Sequence, residues 1–292
     1  MTEPKPALRY HGAKYRLAKW LLQFFPPHGL YVEPFGGAAG VLLQKPRVYA
    51  EVYNDLDGDV VNYFRVLRDP MLRQQLLDAV ALTPYARQEF EEAREPSDDP
   101  VERARRLAVR AQMGFGSAGA TKARTGFRID TRRKHGTSQH LWYRFPENIA
   151  FAAERLMGVL IENRPGIDVM RQHDGASTLH FVDPPYMHAT REMGGGSRAY
   201  EHEMSDADHA ELLDVLLDLE GMVIVTGYPS ELYTEKLRGW AFHTTKARIS
   251  AGRGSALRDE CCWINPSAVA ARESAGYGLF SGAAGMPLGD VA

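Results

Sequence analysis

Cysteine is nearly absent from this chain: the two residues present, Cys261 and Cys262, sit side by side. Such neighbours cannot build a disulfide framework, so they read as small apolar side chains in a reducing compartment. Long apolar runs are missing too. The longest, such as Met222 to Val225, fall far short of the roughly 20 residues a membrane-spanning helix needs. The first residues, Met1 to Arg9, are polar and contain proline, without the apolar centre of a secretory leader. The ten histidines are scattered, and none stands at ligand spacing from the cysteines, so no metal site is expected. A lysine-bearing phosphate loop is also lacking. These absences exclude disulfide scaffolds, membrane spanners and zinc modules, and leave a soluble, cytoplasmic globular protein as the expectation.

Acidic residues are scarce in one place. Between Val101 and Arg144 eleven basic residues face only Glu102 and Asp130, a local charge of +9. The whole chain carries −2, so the remainder carries −11. An arginine-rich helix is sometimes only a solvated face. A block this one-sided in an acidic protein is nonetheless the footprint expected of phosphate contact.

The 292 residues allow one large domain, or one with a smaller insertion. Leu30 to Glu33 is a short apolar run that ends in the glycine turn Pro34 to Gly40, and Val41 to Leu43 then starts a helical pattern. Val48 to Tyr53 alternates like a strand and closes at Asn54-Asp55. Val60 to Leu67, Met71 to Val80 and Ala104 to Met113 have helical spacing. Gly114 to Thr125 predicts loops or a hairpin. Pro146 to Leu160 predicts a helix, and Thr178 to Val182 a buried strand. Asp208 to Leu219 reads as a helix capped by Ser205 or Asp206. Met222 to Thr226 and Glu260 to Ile264 read as further strands. Strands alternating with helices predict a mostly parallel sheet covered on both faces. The basic block interrupts that alternation, so residues 68–145 are expected as an inserted module between two catalytic parts, 1–67 and 146–266. Residues 267–292, rich in alanine and glycine, are expected to be a flexible tail.

Three constellations carry chemistry. Gly36, Gly37 and Gly40 permit close backbone approach, and Asp55 follows about 20 residues on at a strand end, where a carboxylate can accept hydrogen bonds from a ribose. The spacing is not that of a dinucleotide fingerprint, and a tight connection alone would also explain it. Asp183-Pro184-Pro185-Tyr186 follows a buried strand. Its prolines fix the backbone and remove amide donors, leaving acceptors rigidly held. An exocyclic amine that gives one hydrogen to the Asp183 carboxylate and one to the Pro184 carbonyl turns its lone pair outward, while Tyr186 offers a stacking face for an extruded base. A rigid proline turn with an incidental carboxylate is the bland alternative. Finally, Tyr10 and Lys14 near the start could meet the aminoacyl end of a cationic cofactor.

The order of these elements resembles the Dam-like (D12 class, alpha-group) DNA adenine-N6 methyltransferases, over about Arg9 to Pro266. That resemblance implies a Rossmann-like class I methyltransferase sheet, an α/β fold, with an inserted helical and hairpin target-recognition module. It also implies S-adenosyl-L-methionine as cofactor and double-stranded DNA as partner, in a bacterial or phage-infected cell. By the same resemblance Tyr10, Lys14, Phe35, Gly36, Gly37, Asp55, Asp168 and Asp183 are cofactor contacts, and Asp183 to Tyr186 are catalytic. Candidate DNA contacts are Arg9, Arg103, Arg106, Arg110, Lys122, Arg124, Arg128 and Arg132. Arg124, Arg128 and Arg132 flank the glycine-rich segment and are expected to read guanine edges, whereas the helical arginines are expected to position phosphates. The glycine-bearing loop 187–197 is either a lid or an unstructured loop. His11 and Ala13 depart from the family's first motif. Cytosine-N4, RNA and glutamine methylation, a non-catalytic DNA or cofactor binder, and a nicotinamide dehydrogenase are the competing readings.

Overall fold

The computed structural model describes residues 6–10, 12–116, 120, 125–129, 131, 136–187, 202–251 and 254–276; the side chains of 248–251 and 254–257 lie outside that description. Residues 188–197 of the expected loop 187–197, residues 277–292 and the candidates Lys122, Arg124 and Arg132 lie outside the described residues.

Among the described residues seven strands form one sheet: β1 (Leu30–Glu33), β2 (Ala50–Asn54), β3 (Leu160–Glu162), β4 (Thr178–Val182), β5 (Met222–Gly227), β6 (Ala241–Ala251) and β7 (Gly254–Ile264). Their order is β3-β2-β1-β4-β5-β7-β6. The first five are parallel, and β7 runs antiparallel to both β5 and β6. The helices are α1 (Ala18–Leu22), α2 (Gly58–Arg68), α3 (Pro70–Leu82), α4 (Arg87–Glu92), α5 (Pro100–Met113), α6 (Ser138–Tyr143), α7 (Phe145–Arg155), α8 (Gly166–Gln172), α9 (Asp206–Asp218), α10 (Glu231–Lys236) and α11 (Pro266–Ser274). This is the α/β, Rossmann-like arrangement expected from the strand and helix pattern.

The central strands feed two apolar layers because alternate side chains point to opposite faces. Tyr31, Leu179, Phe181 and Ile224 join one layer; Val182, Val223, Val225 and Trp263 join the other. The segment 68–145 contributes α3 to α6, and α5 packs on both α2 and α3. Leu76, Phe90, Leu107 and Trp142 share the first apolar layer with the sheet, so this segment builds on the same core as the strands. One buried ion cluster ties the edges together: Glu51 on β2 receives Lys45 at 2.7 Å and both terminal nitrogens of Arg155 at 2.6 and 2.8 Å. Burial pushes the Glu51 carboxyl upward, but the hydrogen bonds from Arg155 and Lys45 outweigh it and hold the group below its usual range.

Four local expectations are corrected. After the glycine turn, residues 41–44 form successive turns rather than a regular helix. The helix expected to reach Leu160 closes at Arg155; Gly158, at φ 82°, turns the chain into β3, where Leu160 lies. β6 went unseen because its outward face is polar, as befits an edge strand, and β7 is longer than the five residues expected. The chain after Pro266 forms a helix through Ser274 instead of beginning a tail. Asn265 caps it by accepting from Ala268 N, and Pro266 takes the first helical position. The same asparagine accepts from Val223 N and donates to Gly221 O, which fastens α11 to the start of β5.

Candidate active site

The strand order reverses between β1 and β4, and the candidate residues collect at the carboxyl ends of these strands, where open α/β sheets bind ligands. A cleft is lined there by Tyr10, Lys14, Glu33, the turn Pro34 to Ala38, Gly40, Asp55, Gly166, Asp183, Pro185 and His202 to Met204, among others. Tyr10, Lys14, Phe35, Gly36, Gly37, Asp55 and Asp183 are thus brought together from four separate stretches of chain.

The glycines are explained by the protein's own packing. A Cβ on Gly36 would overlap the Tyr53 ring, and one on Gly40 would lie 2.8 Å from Tyr15 N, in the segment that carries Lys14. Small residues therefore let the N-terminal segment close over the turn. Asn54, which the sequence did not single out, knits the loops after three strands: its side-chain amide donates to Pro34 O and Arg164 O, and its Oδ1 accepts from Arg164 N.

Asp55 Oδ2 accepts from Gly37 N at 2.7 Å and Oδ1 from Asp57 N at 2.8 Å, so its carboxylate is aimed by backbone. Burial pushes this carboxyl from 3.8 up to about 6, despite those two donors. Deeper in the cleft, Glu33 Oε2 accepts from the Tyr31 hydroxyl and from Leu42 N. Burial, with the nearby Asp183 charge adding to it, raises Glu33 to about 8. An apolar run ending in a carboxylate was the only signal for Glu33 in the sequence.

Asp183 lies directly after β4. Its Oδ1 accepts from the Thr226 hydroxyl at 2.7 Å and pairs with Lys14 Nζ at 2.9 Å. Lys14 also donates to Gly12 O at 3.1 Å and stands 4.6 Å from the centre of the Tyr186 ring. The lysine read as a cofactor contact thus lines the cleft and braces the Asp183 carboxylate. With Oδ1 held, Oδ2 is the oxygen on which a ligand amine can be received. Pro184 is buried outside the cleft lining, and Tyr186 is buried with its hydroxyl on Glu260 at 2.7 Å. Thr226 and Glu260 were not anticipated; both reach the motif from distant strands.

Asp168 is not brought to the cleft. It is exposed in the first turn of α8, and Gly166, two residues earlier, lines the cleft in its stead. The helical arginines make ion pairs and hydrogen bonds within the protein. Asp59 takes Arg103 at 2.8 Å and Arg110 at 3.0 Å. Arg106 pairs with Glu102 and caps the carbonyls of Glu95 and Pro96. Arg105, the other partner of Glu102, holds that carboxyl down to about 2 chiefly by its hydrogen bond. These arginines therefore tie α5 to α2 and to the chain around α4.

Beyond α5, an antiparallel bridge joins Gly114 to Phe127, with Phe115 N donating to Gly126 O and Arg128 N to Met113 O. Arg94 adds a hydrogen bond to Thr125 O beside this bridge. The Arg128 side chain is buried there, while Phe115 is 64% exposed. Arg9 is partly buried beside Leu8, in a segment pinned by the Tyr63 hydroxyl on Ala7 O. No cluster of three metal-ligating side chains occurs among the described residues, and no described helix is long and apolar enough to cross a membrane.

Residues 10–243 match the model of a protein family described as D12 class N6 adenine-specific DNA methyltransferase. No curated protein matches the chain. Among solved structures it is similar to precorrin 8W decarboxylase from Methanobacterium thermoautotrophicum, at 14% identity over 86% of this chain and 88% of that one, with a TM-score of 0.32. At that distance the likeness has no bearing on function.

Proposed function

Because the chain belongs to the D12 class of N6 adenine-specific DNA methyltransferases, we propose that its cleft holds S-adenosylmethionine and that Asp183 receives the target amine. The observation that carries this reading is the convergence of the backbone-aimed Asp55 carboxylate, the glycine turn and Asp183 on one cleft at the switch point of the sheet. Of the chemistries left open by the sequence, family membership selects adenine N6 in DNA.

The residues fit such a donor. Asp55 offers carboxylate lone pairs to a ribose diol, the turn from Phe35 to Gly37 offers backbone close by, and Glu33 faces the cleft as a second carboxyl. S-adenosylmethionine, when bound, supplies an electrophilic methyl group on a sulfonium. Asp183 Oδ2 accepts one hydrogen of the adenine amine, and the rigid Pro184 backbone is suited to accept the other. Lys14 and Thr226 keep the Asp183 carboxylate from turning, so orientation rather than a strong base lowers the barrier. Oδ2 then takes the proton that the amine sheds. Residues 68–145 serve as the recognition module, and their surplus of basic residues supplies the phosphate contacts. Affinity there depends steeply on salt.

Asp55 gives the test. Its carboxylate must be ionised to accept from both ribose hydroxyls, and its carboxyl titrates at about 6. Above that pH the acceptor is present; below it the acquired proton blocks one oxygen. Cofactor affinity is therefore expected to weaken as pH falls through about 6, approaching tenfold per pH unit at the limit set by one proton. Calorimetry with S-adenosylmethionine across pH 5 to 8, about that value, should show this for wild type and a flat profile for Asp55→Asn. A wild-type profile without the inflection, or one retained in the variant, contradicts the assignment.

A further inference from the structure

Glu260 is a buried carboxylate at the head of the apolar run that closes β7. Cys261, Cys262, Trp263 and Ile264 follow it on β7, all buried, and Glu260 itself is 6% exposed. A buried carboxylate is costly unless it is hydrogen-bonded, and what this one receives is the Tyr186 hydroxyl at 2.7 Å. The register explains how the two meet. Gly227, the last residue of β5, pairs with Cys261, so Glu260 sits one step past the carboxyl end of β5, on the rim where the Asp183 loop emerges. Tyr186 is held on other sides as well. The Tyr228 ring meets it edge-on at 4.5 Å, Arg258 stacks over Tyr228 at 4.8 Å, and the Lys14 ammonium stands over Tyr186.

We infer that Glu260 is a positioning residue for methyl transfer, fixing the Tyr186 ring beside Asp183 through the phenolic hydroxyl and so coupling the antiparallel β6–β7 pair to the catalytic loop. This rests on the reading that the Asp183 loop receives the flipped adenine. The hydroxyl is the one polar atom of Tyr186, and an acceptor at the far end of the ring fixes both its tilt and its depth. Without it the ring keeps only its contacts with Tyr228 and Lys14, its tilt and depth relax, and the base loses a fixed platform at the moment the amine must meet Oδ2.

The test compares single-turnover methyl transfer and 2-aminopurine fluorescence at the target base for wild type, Glu260→Ala, Glu260→Gln, Tyr186→Phe and the Glu260→Gln/Tyr186→Phe pair. Loss of a charge-assisted hydrogen bond predicts a rate about ten- to a hundredfold lower in Glu260→Ala and in Tyr186→Phe, with altered fluorescence in both. Glu260→Gln, which keeps an acceptor, recovers most of the rate. That rescue disappears in the pair, whose rate equals that of Tyr186→Phe alone. A wild-type rate in Glu260→Ala overturns the inference, as does a Glu260→Gln that is slow, or one whose effect adds to that of Tyr186→Phe. The Gln variant keeps the question decidable if the Ala variant does not fold. If Asp183→Ala remains active in the same assay, the reading of the catalytic loop fails instead, independently of Glu260.

Discussion

Asp183→Asn is expected to lower single-turnover methyl transfer on the order of a thousandfold, the scale at which removing one preorganised electrostatic partner acts on a reaction. The carboxylate has two separate tasks in this site. Oδ1 is fixed by Thr226 and Lys14, and Oδ2 is the oxygen assigned above to the target amine. An amide in its place loses the ion pair to Lys14 and presents either a carbonyl or an amino group to the target, so one of the two tasks fails whichever way it flips. Cofactor affinity, which depends on Asp55 and the glycine turn, should change little. Duplex affinity should hardly change. A variant that transfers at more than about a tenth of the wild-type rate would show that the amine is received elsewhere. Thr226→Val, which removes only one donor to Oδ1, should lose much less than Asp183→Asn in the same measurement.

Glu51→Leu should destabilise the fold by about 3–5 kcal/mol in urea denaturation, because it strands the Lys45 and Arg155 charges without their shared counter-ion. Both cations are buried, and the Lys45 ammonium also lies 4.6 Å from the centre of the Tyr31 ring. The pH dependence has a definite sign. Glu51 titrates below its ordinary value when folded, so its contribution is present above about pH 4.5 and fades as pH falls through the depressed folded value. Replacing all three residues with Met, Leu and Met should recover most of the loss, since apolar substitutes carry no desolvation penalty. A single Glu51→Leu as stable as wild type would mean that solvent reaches the cluster.

Part of this architecture was legible because it is written locally. Thr178 to Val182 is apolar throughout, as a strand buried on both faces must be, and Asp183-Pro184-Pro185-Tyr186 closes it with residues whose backbone limits are intrinsic. Asp55 could be found from its distance to the glycine turn. What escaped depends on partners far along the chain. Composition shows that Arg103 and Arg110 are basic, but nothing within a helical turn reveals that Asp59, more than forty residues earlier, absorbs both charges. Nothing local shows that Lys14 also pairs with Asp183, 169 residues away. Thr226 and Glu260 acquire meaning only when β5 and β7 are placed beside β4. α11 was misread for a different reason. Asn265-Pro266 is as good a helix start as it is a stop, and only its bonds to Val223 N and Gly221 O decide which. β3, three residues long, is too short for periodicity to register.

The most direct measurement is methyl transfer from labelled S-adenosylmethionine to unmethylated duplex DNA, followed by nucleoside mass analysis, for wild type and Asp183→Ala. The account predicts label in N6-methyladenine for wild type and none above background for Asp183→Ala, whose cofactor binding is preserved. Label in a cytosine derivative, or N6-methyladenine formed equally well by the variant, would contradict it.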